Sequence, residues 1–263
     1  MSSSKIGVFD SGIGGLPLAF AIRNTFPYHD IIYFGDTEHF PYGDRSAESV
    51  ERFSHAMASF LHEEGCDILV IACNTASAVA YDSLKQRLNN GATVLNVIDP
   101  VVQEVCNTSA THIGVIGTSR TIETNIFEQK ISASCQNKKV YSLPTPLLAP
   151  MIEAGYYNHP VSELVVQDYL NQASFESIEG LVLACTHYPL IRKDISTVFG
   201  SRFKMFDAHN ALVSALRDYI QDTSSKTKGS TTFYVSDLTK SFQKTAEIFA
   251  GGAVDLRQHR LKL

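Results

Sequence analysis

The chain has 263 residues, 44% of them hydrophobic, and a formal net charge of −5. That is enough apolar material for one large core or two modest ones, at roughly 150 residues per domain. A mildly acidic chain without a run of Lys or Arg has nothing to attract nucleic acid, and no apolar stretch reaches the ~20 residues needed to cross a bilayer.

The predicted elements alternate between strand and helix. Ile6 to Phe9 reads as a strand. Leu16 to Thr25 reads as a helix with Pro17 near its start, where a missing N–H costs little. Ile31 to Phe34 is the second strand. Ser46 to Glu64 is the clearest helix, with Val50, Phe53, Met57, Phe60 and Leu61 on one face and Gly65 as its stop. Strands follow at Ile68 to Ala72 and Val94 to Val97, separated by a helix from about Ala76 to Leu88. A second series then begins: a strand at Ile113, a helix near Glu123 to Ser134, a strand at Val140, a helix near Glu163 to Gln172 and a strand at Leu181. The tail offers a helix at Leu212 to Ile220, a strand at Thr231 to Val235 and a helix at Lys240 to Phe249. Strict βα alternation implies parallel sheets covered by helices on both faces.

The second series repeats the first. Leu69-Val70-Ile71-Ala72-Cys73-Asn74-Thr75 returns as Leu181-Val182-Leu183-Ala184-Cys185-Thr186-His187, and Ile6-Gly7-Val8-Phe9-Asp10-Ser11 returns as Ile113-Gly114-Val115-Ile116-Gly117-Thr118. After each cysteine comes a further strand read as ending in Asp, Val94 to Asp99 and Phe203 to Asp207. Two copies make a duplicated α/β unit and exclude a solenoid. The expected architecture is two similar doubly wound, mostly parallel-sheet domains, 1–97 plus 210–263 and 98–209, with the tail folded back onto the first. Such units usually pair about a pseudo-two-fold axis. The active site is therefore expected in the cleft between them, with Cys73 and Cys185 face to face.

Each phrase is an apolar strand that ends in a cysteine and then turns polar. The carboxyl end of a parallel sheet is where an α/β fold places its ligand. A lone cysteine at a strand end is usually packing; two at matched positions of a repeat argue for chemistry. Each also precedes a predicted helix start, whose free N–H groups favour a thiolate. His187, two residues past Cys185, is placed to hold or exchange a proton. The remaining cysteines, Cys66, Cys106 and Cys135, read as structural or incidental. Five cysteines, far apart and without a C-x-x-C pair, argue against a disulfide framework and a zinc site. Free thiols in a cytoplasmic protein are the expectation. Met1 to Lys5 is too short and polar to read as a signal peptide.

Asp10-Ser11-Gly12-Ile13-Gly14-Gly15 follows the first strand, but Pro17 stands where a dinucleotide loop needs its third glycine. The glycines still admit close approach of a small anion or amino acid. Asp10 reads either as a site acid or as a helix cap. Thr118, Ser119 and Thr121 would suit a carboxylate or serve as ordinary caps. Glu153 is the acid of an apolar segment and reads equally as a site group or a solvated surface residue. Pro41-Tyr42-Gly43 alone is a weak turn signal. His39, His55, His62, His112, His159 and His209 have no metal-ligand spacing.

Taken together, Phe9-Asp10-Ser11-Gly12-Ile13-Gly14-Gly15-Leu16, Phe40-Pro41-Tyr42-Gly43, Ala72-Cys73-Asn74-Thr75-Ala76-Ser77 and Cys185-Thr186-His187-Tyr188-Pro189 resemble the glutamate racemase family, in its order and near its spacing. The resemblance runs from residue 5 to about 210 and fades in the tail. It implies a cofactor-independent, metal-free isomerase that interconverts L- and D-glutamate and supplies D-glutamate for peptidoglycan. It implies Cys73 and Cys185 as the acid/base thiols, Asp10 assisting Cys73, and His187 with Glu153 assisting Cys185. Substrate would be held by Asp10, Ser11, Tyr42, Gly43, Asn74, Thr75, Thr118, Thr121, Thr186 and His187. The implied partners are glutamate and a second copy of the chain in a homodimer, with no nucleic acid and no membrane. Rival readings are a racemase of a related acid such as aspartate, a thiol hydrolase or transferase using one cysteine with His187, and a two-lobed amino-acid-binding protein.

Overall fold

The computed structural model describes residues 4–89, 91–220 and 227–263; Met1 to Ser3 of the leading segment discussed above lie outside them. In chain order the strands are β1 (Lys5–Asp10), β2 (Asp30–Gly35), β3 (Ile68–Ile71), β4 (Thr93–Asn96), β5 (His112–Gly117), β6 (Lys139–Pro144), β7 (Gly180–Ala184), β8 (Lys204–Phe206), β9 (Thr231–Val235) and β10 (Leu256–Gln258). The helices are α1 (Leu16–Thr25), α2 (Ala47–Glu63), α3 (Asn74–Arg87), α4 (Ile98–Cys106), α5 (Ser119–Glu123), α6 (Ile126–Ser134), α7 (Leu148–Glu153), α8 (Pro160–Leu170), α9 (Arg192–Phe199), α10 (Ala208–Leu216) and α11 (Lys240–Ala250). The chain divides into two compact units, residues 1–97 with 209–263, and residues 98–208.

The first unit carries a six-stranded sheet in the order β10-β9-β2-β1-β3-β4, parallel at every pairing. The tail strand β9 joins it by pairing with β2 from Ile31↔Thr231 to Gly35↔Val235. The second unit carries a four-stranded parallel sheet in the order β6-β5-β7-β8. Subtracting the two tail strands leaves 2-1-3-4 in the first unit, the same path as in the second. The repeated phrases thus occupy equivalent strands: β1 matches β5, and β3 matches β7.

Local sequence accounts for these elements. The strands that flank the centre of each sheet are buried on both faces, so they read as continuous Ile/Val/Leu runs; β3 and β7 are buried along their whole length. In α2 the apolar positions recur at helical spacing, and Val50, Phe53, Met57 and Leu61 are all buried. Ser46 caps its start by accepting from the Ser49 N–H, and Gly65, at φ +85°, ends it where other residues would be strained.

Several expectations need correction. The helix predicted across Glu123 to Ser134 is two, α5 and α6, broken at Asn125, which adopts left-handed backbone (φ 55°). α4 and α7 were not predicted, because their apolar residues sit among prolines and lack a long helical period. β4 ends at Asn96, so the first copy's fourth strand does not end in Asp. Asp99 belongs to α4 and pairs with Lys130 at 2.7 Å.

The cysteines also differ from expectation. Cys66, Cys73 and Cys185 are free, but Cys106 and Cys135 form a disulfide. Their separation of 29 residues hides the pairing in sequence. α4 ends at Cys106, α6 ends just before Cys135, and the two helices pack together, leaving the Cα atoms 5.6 Å apart. Cross-links closing loops of this size typically stabilise by about 2–4 kcal/mol. Adding a reductant should therefore lower the thermal midpoint by several degrees, measured by differential scanning fluorimetry with iodoacetamide-trapped controls. An unchanged midpoint after verified reduction would show that the bond adds no stability.

Candidate active site

In the first unit, β1 and β3 run side by side in the register Phe9↔Ile71. Two residues further on, this register sets Ser11 level with Cys73. The Cys73 thiol donates to Ser11 Oγ at 3.5 Å and, as N-cap of α3, accepts from the Ala76 N–H at 3.4 Å. A helix N-terminus, with its unpaired N–H groups and positive dipole end, favours negative charge at such a position. Asn74 and Thr75 fill the first turn of α3 and are buried.

Asp10 is fully buried at the end of β1. Its carboxylate accepts from the backbone N–H groups of Gly12 and Gly15, at 3.2 and 3.1 Å, and so folds the glycine loop back on itself. The loop is pressed from below by β2. Tyr33 donates to the Gly12 carbonyl at 2.8 Å, and a Cβ on Gly35 would lie only 2.1 Å from that oxygen. Only glycine fits there. Tyr42, fully buried, opens a 3-10 turn that includes Gly43 and follows the cis Phe40–Pro41 bond. Its hydroxyl donates to Asp36 at 2.6 Å. Burial, then the Asp36 charge, pushes the Tyr42 phenol well above its ordinary value, so it stays a neutral donor.

Asp36 went unassigned in the sequence. It is fully buried and also receives Ser236 Oγ at 2.7 Å and His39 Nδ1 at 2.9 Å. The available signal was positional: Asp36 follows the end of β2 as Ser11 follows the end of β1. Cys66 differs from the strand-end thiols. It lies before β3, and burial pushes its thiol up to about 12, an inert packing group.

In the second unit, Gly117 pairs with Ala184, which sets Thr118 level with Cys185 as Ser11 is with Cys73. Thr118 caps α5, accepting from the Thr121 N–H at 3.3 Å, and the two hydroxyls lie 2.9 Å apart. Cys185, however, does not cap an α-helix. A 3-10 turn, Tyr188–Ile191, intervenes before α9. Its support comes from side chains instead. Cys185 Sγ lies 3.6 Å from His187 Nδ1, and His187 Nε2 lies 2.8 Å from Glu153 Oε1. Glu153 is the last residue of α7, and its side chain is 11% exposed, so the solvated-surface reading does not hold. Thr186 Oγ1 is 3.4 Å from His187 Nδ1. Burial alone would drive the His187 proton off. The hydrogen bonds to Cys185 and Glu153, and their charges, outweigh burial and raise His187 well above its ordinary value. The ring is held between the Cys185 sulfur and the Glu153 carboxyl group.

Among the described residues no group of three or more His, Cys, Asp and Glu side chains is arranged to hold a metal ion, and no helix is long and apolar enough to cross a membrane.

Each of the two parallel α/β sheets thus carries a buried thiol at the same strand end. The sequence profile of Asp/Glu/hydantoin racemases matches residues 18–216, and the chain belongs to that family of isomerases. It is 36% identical over 252 residues to the glutamate racemase of Aquifex aeolicus, covering 95% of this chain and 96% of the relative. With the glutamate racemase of Aquifex pyrophilus it shares 38% over 248 residues, 94% of each chain. The crystal structure of the Francisella tularensis glutamate racemase in complex with D-glutamate superimposes with a TM-score of 0.89 at 33% identity. That match covers 100% of this chain and 98% of the other.

Proposed function

We propose that the chain interconverts L- and D-glutamate without a cofactor, using Cys73 and Cys185 as its two acid/base thiols. The observation that carries the reading is the matched pair of buried strand-end cysteines, each level with a hydroxyl, Ser11 or Thr118. The relatives' names and the D-glutamate bound to the Francisella enzyme support glutamate over other acids.

Racemisation removes the Cα proton from one face and returns a proton to the other. One thiolate takes the proton and the other thiol gives one; the reverse reaction exchanges their roles. The carbanion between these steps needs preorganised donors around the α-carboxylate. Asn74 and Thr75 on α3, and Thr186 beside Cys185, are assigned that part. Ser11, Tyr42, Gly43, Thr118 and Thr121 are assigned to binding. Asp10 is assigned to Cys73, and His187 with Glu153 to Cys185. The product D-glutamate would feed peptidoglycan synthesis, and the enzyme would act in the cytoplasm as a homodimer.

Purified protein should erase the circular dichroism of D-glutamate, and do so equally after dialysis against a strong chelator and with no pyridoxal phosphate added. A panel including D-aspartate separates the related racemases. No loss of optical activity with D-glutamate, or loss that returns only with metal, would sink the proposal.

A further inference from the structure

Tyr188 follows the Cys185–His187 turn and is completely buried. Its N–H donates to the Cys185 carbonyl at 3.2 Å. Its hydroxyl donates to the Thr145 carbonyl at 3.1 Å and lies 2.8 Å from Thr145 Oγ1. Thr145 is itself buried just past β6. It reaches the end of β5 twice, through its N–H at 2.8 Å and its hydroxyl at 3.1 Å, both to the Gly117 carbonyl. The same Thr145 carbonyl accepts from the Leu148 N–H at 3.2 Å, where α7 begins. α7 ends at Glu153, Glu153 holds His187, and His187 holds Cys185. The contacts close a ring: Cys185, His187, Glu153, α7, Thr145, Tyr188 and back to Cys185.

We infer that Tyr188 and Thr145 form a positioning pair that fixes Cys185, His187 and Glu153 in one proton-handling geometry. The inference rests on the racemase reading above. Neither residue is assigned a contact with substrate. The pair anchors the two segments that carry the thiol and the carboxylate to one point beside Gly117, the residue before Thr118. A buried tyrosine whose only task was to fill space would leave its hydroxyl a desolvation cost; here the hydroxyl is spent on this junction. Geometry of this kind matters because a misplacement of about 1 Å can cost about 10²-fold in rate.

The test is Tyr188→Phe in the full-length enzyme, which keeps the ring and removes the hydroxyl. The expected result is a fall in kcat of about 10-fold or more with KM little changed. Alkylation of Cys185 by iodoacetamide, followed by peptide mass spectrometry, should slow several-fold at neutral pH, while Cys73 in the same sample reacts at the parent rate. Thr145→Val should behave like Tyr188→Phe, and Thr145→Ser, which keeps the hydroxyl, should stay near the parent. Parent kcat and parent alkylation in Tyr188→Phe would overturn the inference. Equal slowing at both thiols would overturn it too, since that is general loosening. If no acid is racemised by parent protein yet Cys185 alone slows in Tyr188→Phe, the racemase reading fails and the positioning pair stands.

Discussion

Cys185→Ser is expected to lower racemisation of glutamate by at least ~10²-fold and up to about 10⁴-fold, the range that a single general acid/base supplies, and Cys73→Ser to do the same. A serine hydroxyl occupies nearly the same space, so the loss would be one of acidity rather than of fold. A thiol ordinarily ionises near ~8.5, while an alcohol neither gives nor takes a proton on that scale. Each variant should nonetheless keep one half of the chemistry. A glutamate analogue with a leaving group at Cβ needs only removal of its Cα proton, after which the leaving group departs. Cys185→Ser should therefore still eliminate from the enantiomer served by Cys73, and Cys73→Ser from its mirror image. Cys66→Ser should retain the parent rate. Cys106→Ser and Cys135→Ser should lose the disulfide but keep the chemistry. Racemisation by Cys185→Ser at the parent rate would rule out two-thiol catalysis.

His187→Asn is expected to cost ~10² to 10⁴ in kcat, and Glu153→Gln to cost less, since Glu153 acts on Cys185 through the imidazole. Asp10→Asn should act instead on the Cys73 half, through the glycine loop that its carboxylate folds. The ratio of kcat/KM for the two enantiomers is fixed by the equilibrium and cannot move. The asymmetry should show in primary isotope effects, with deuterium at Cα of D- and L-glutamate responding oppositely in the two variants. Equal changes in both would refute one helper per thiol. The pH dependence of stability has a definite sign. His187 is raised in the folded protein, so its charged contacts stabilise fully below its unfolded value of ~6.5 and are lost as pH climbs through the raised folded value. Denaturant titrations of His187→Asn should lack that decline.

The duplication was legible because continuous apolar strand runs recur in the same order in each copy, and because the cysteines close two of those runs. The shared 2-1-3-4 strand path follows from that reading. What the sequence concealed were meetings between distant segments. Nothing near Glu153 announces that α7 will end against His187, since that contact depends on where β6 releases the chain. Cys106 and Cys135 look unrelated until α4 packs on α6. Asp36 looks like a turn residue until Tyr42, His39 and Ser236 converge on it. The break at Asn125 escaped notice because a left-handed residue leaves little trace in hydrophobic spacing.

The two thiols are supported by different materials. Cys73 caps α3 through a main-chain amide, which every residue type except proline provides, and meets the Ser11 hydroxyl. Cys185 relies on two side chains, His187 and Glu153, which a single codon change can remove. Genetic drift therefore has uneven access to the two halves. Substitutions at Ala76 should leave the amide contact to Cys73 intact, whereas the Cys185–His187–Glu153 chain can be retuned one mutation at a time. Adaptation to a new ambient acidity, or escape from an inhibitor, would be expected to begin on that side.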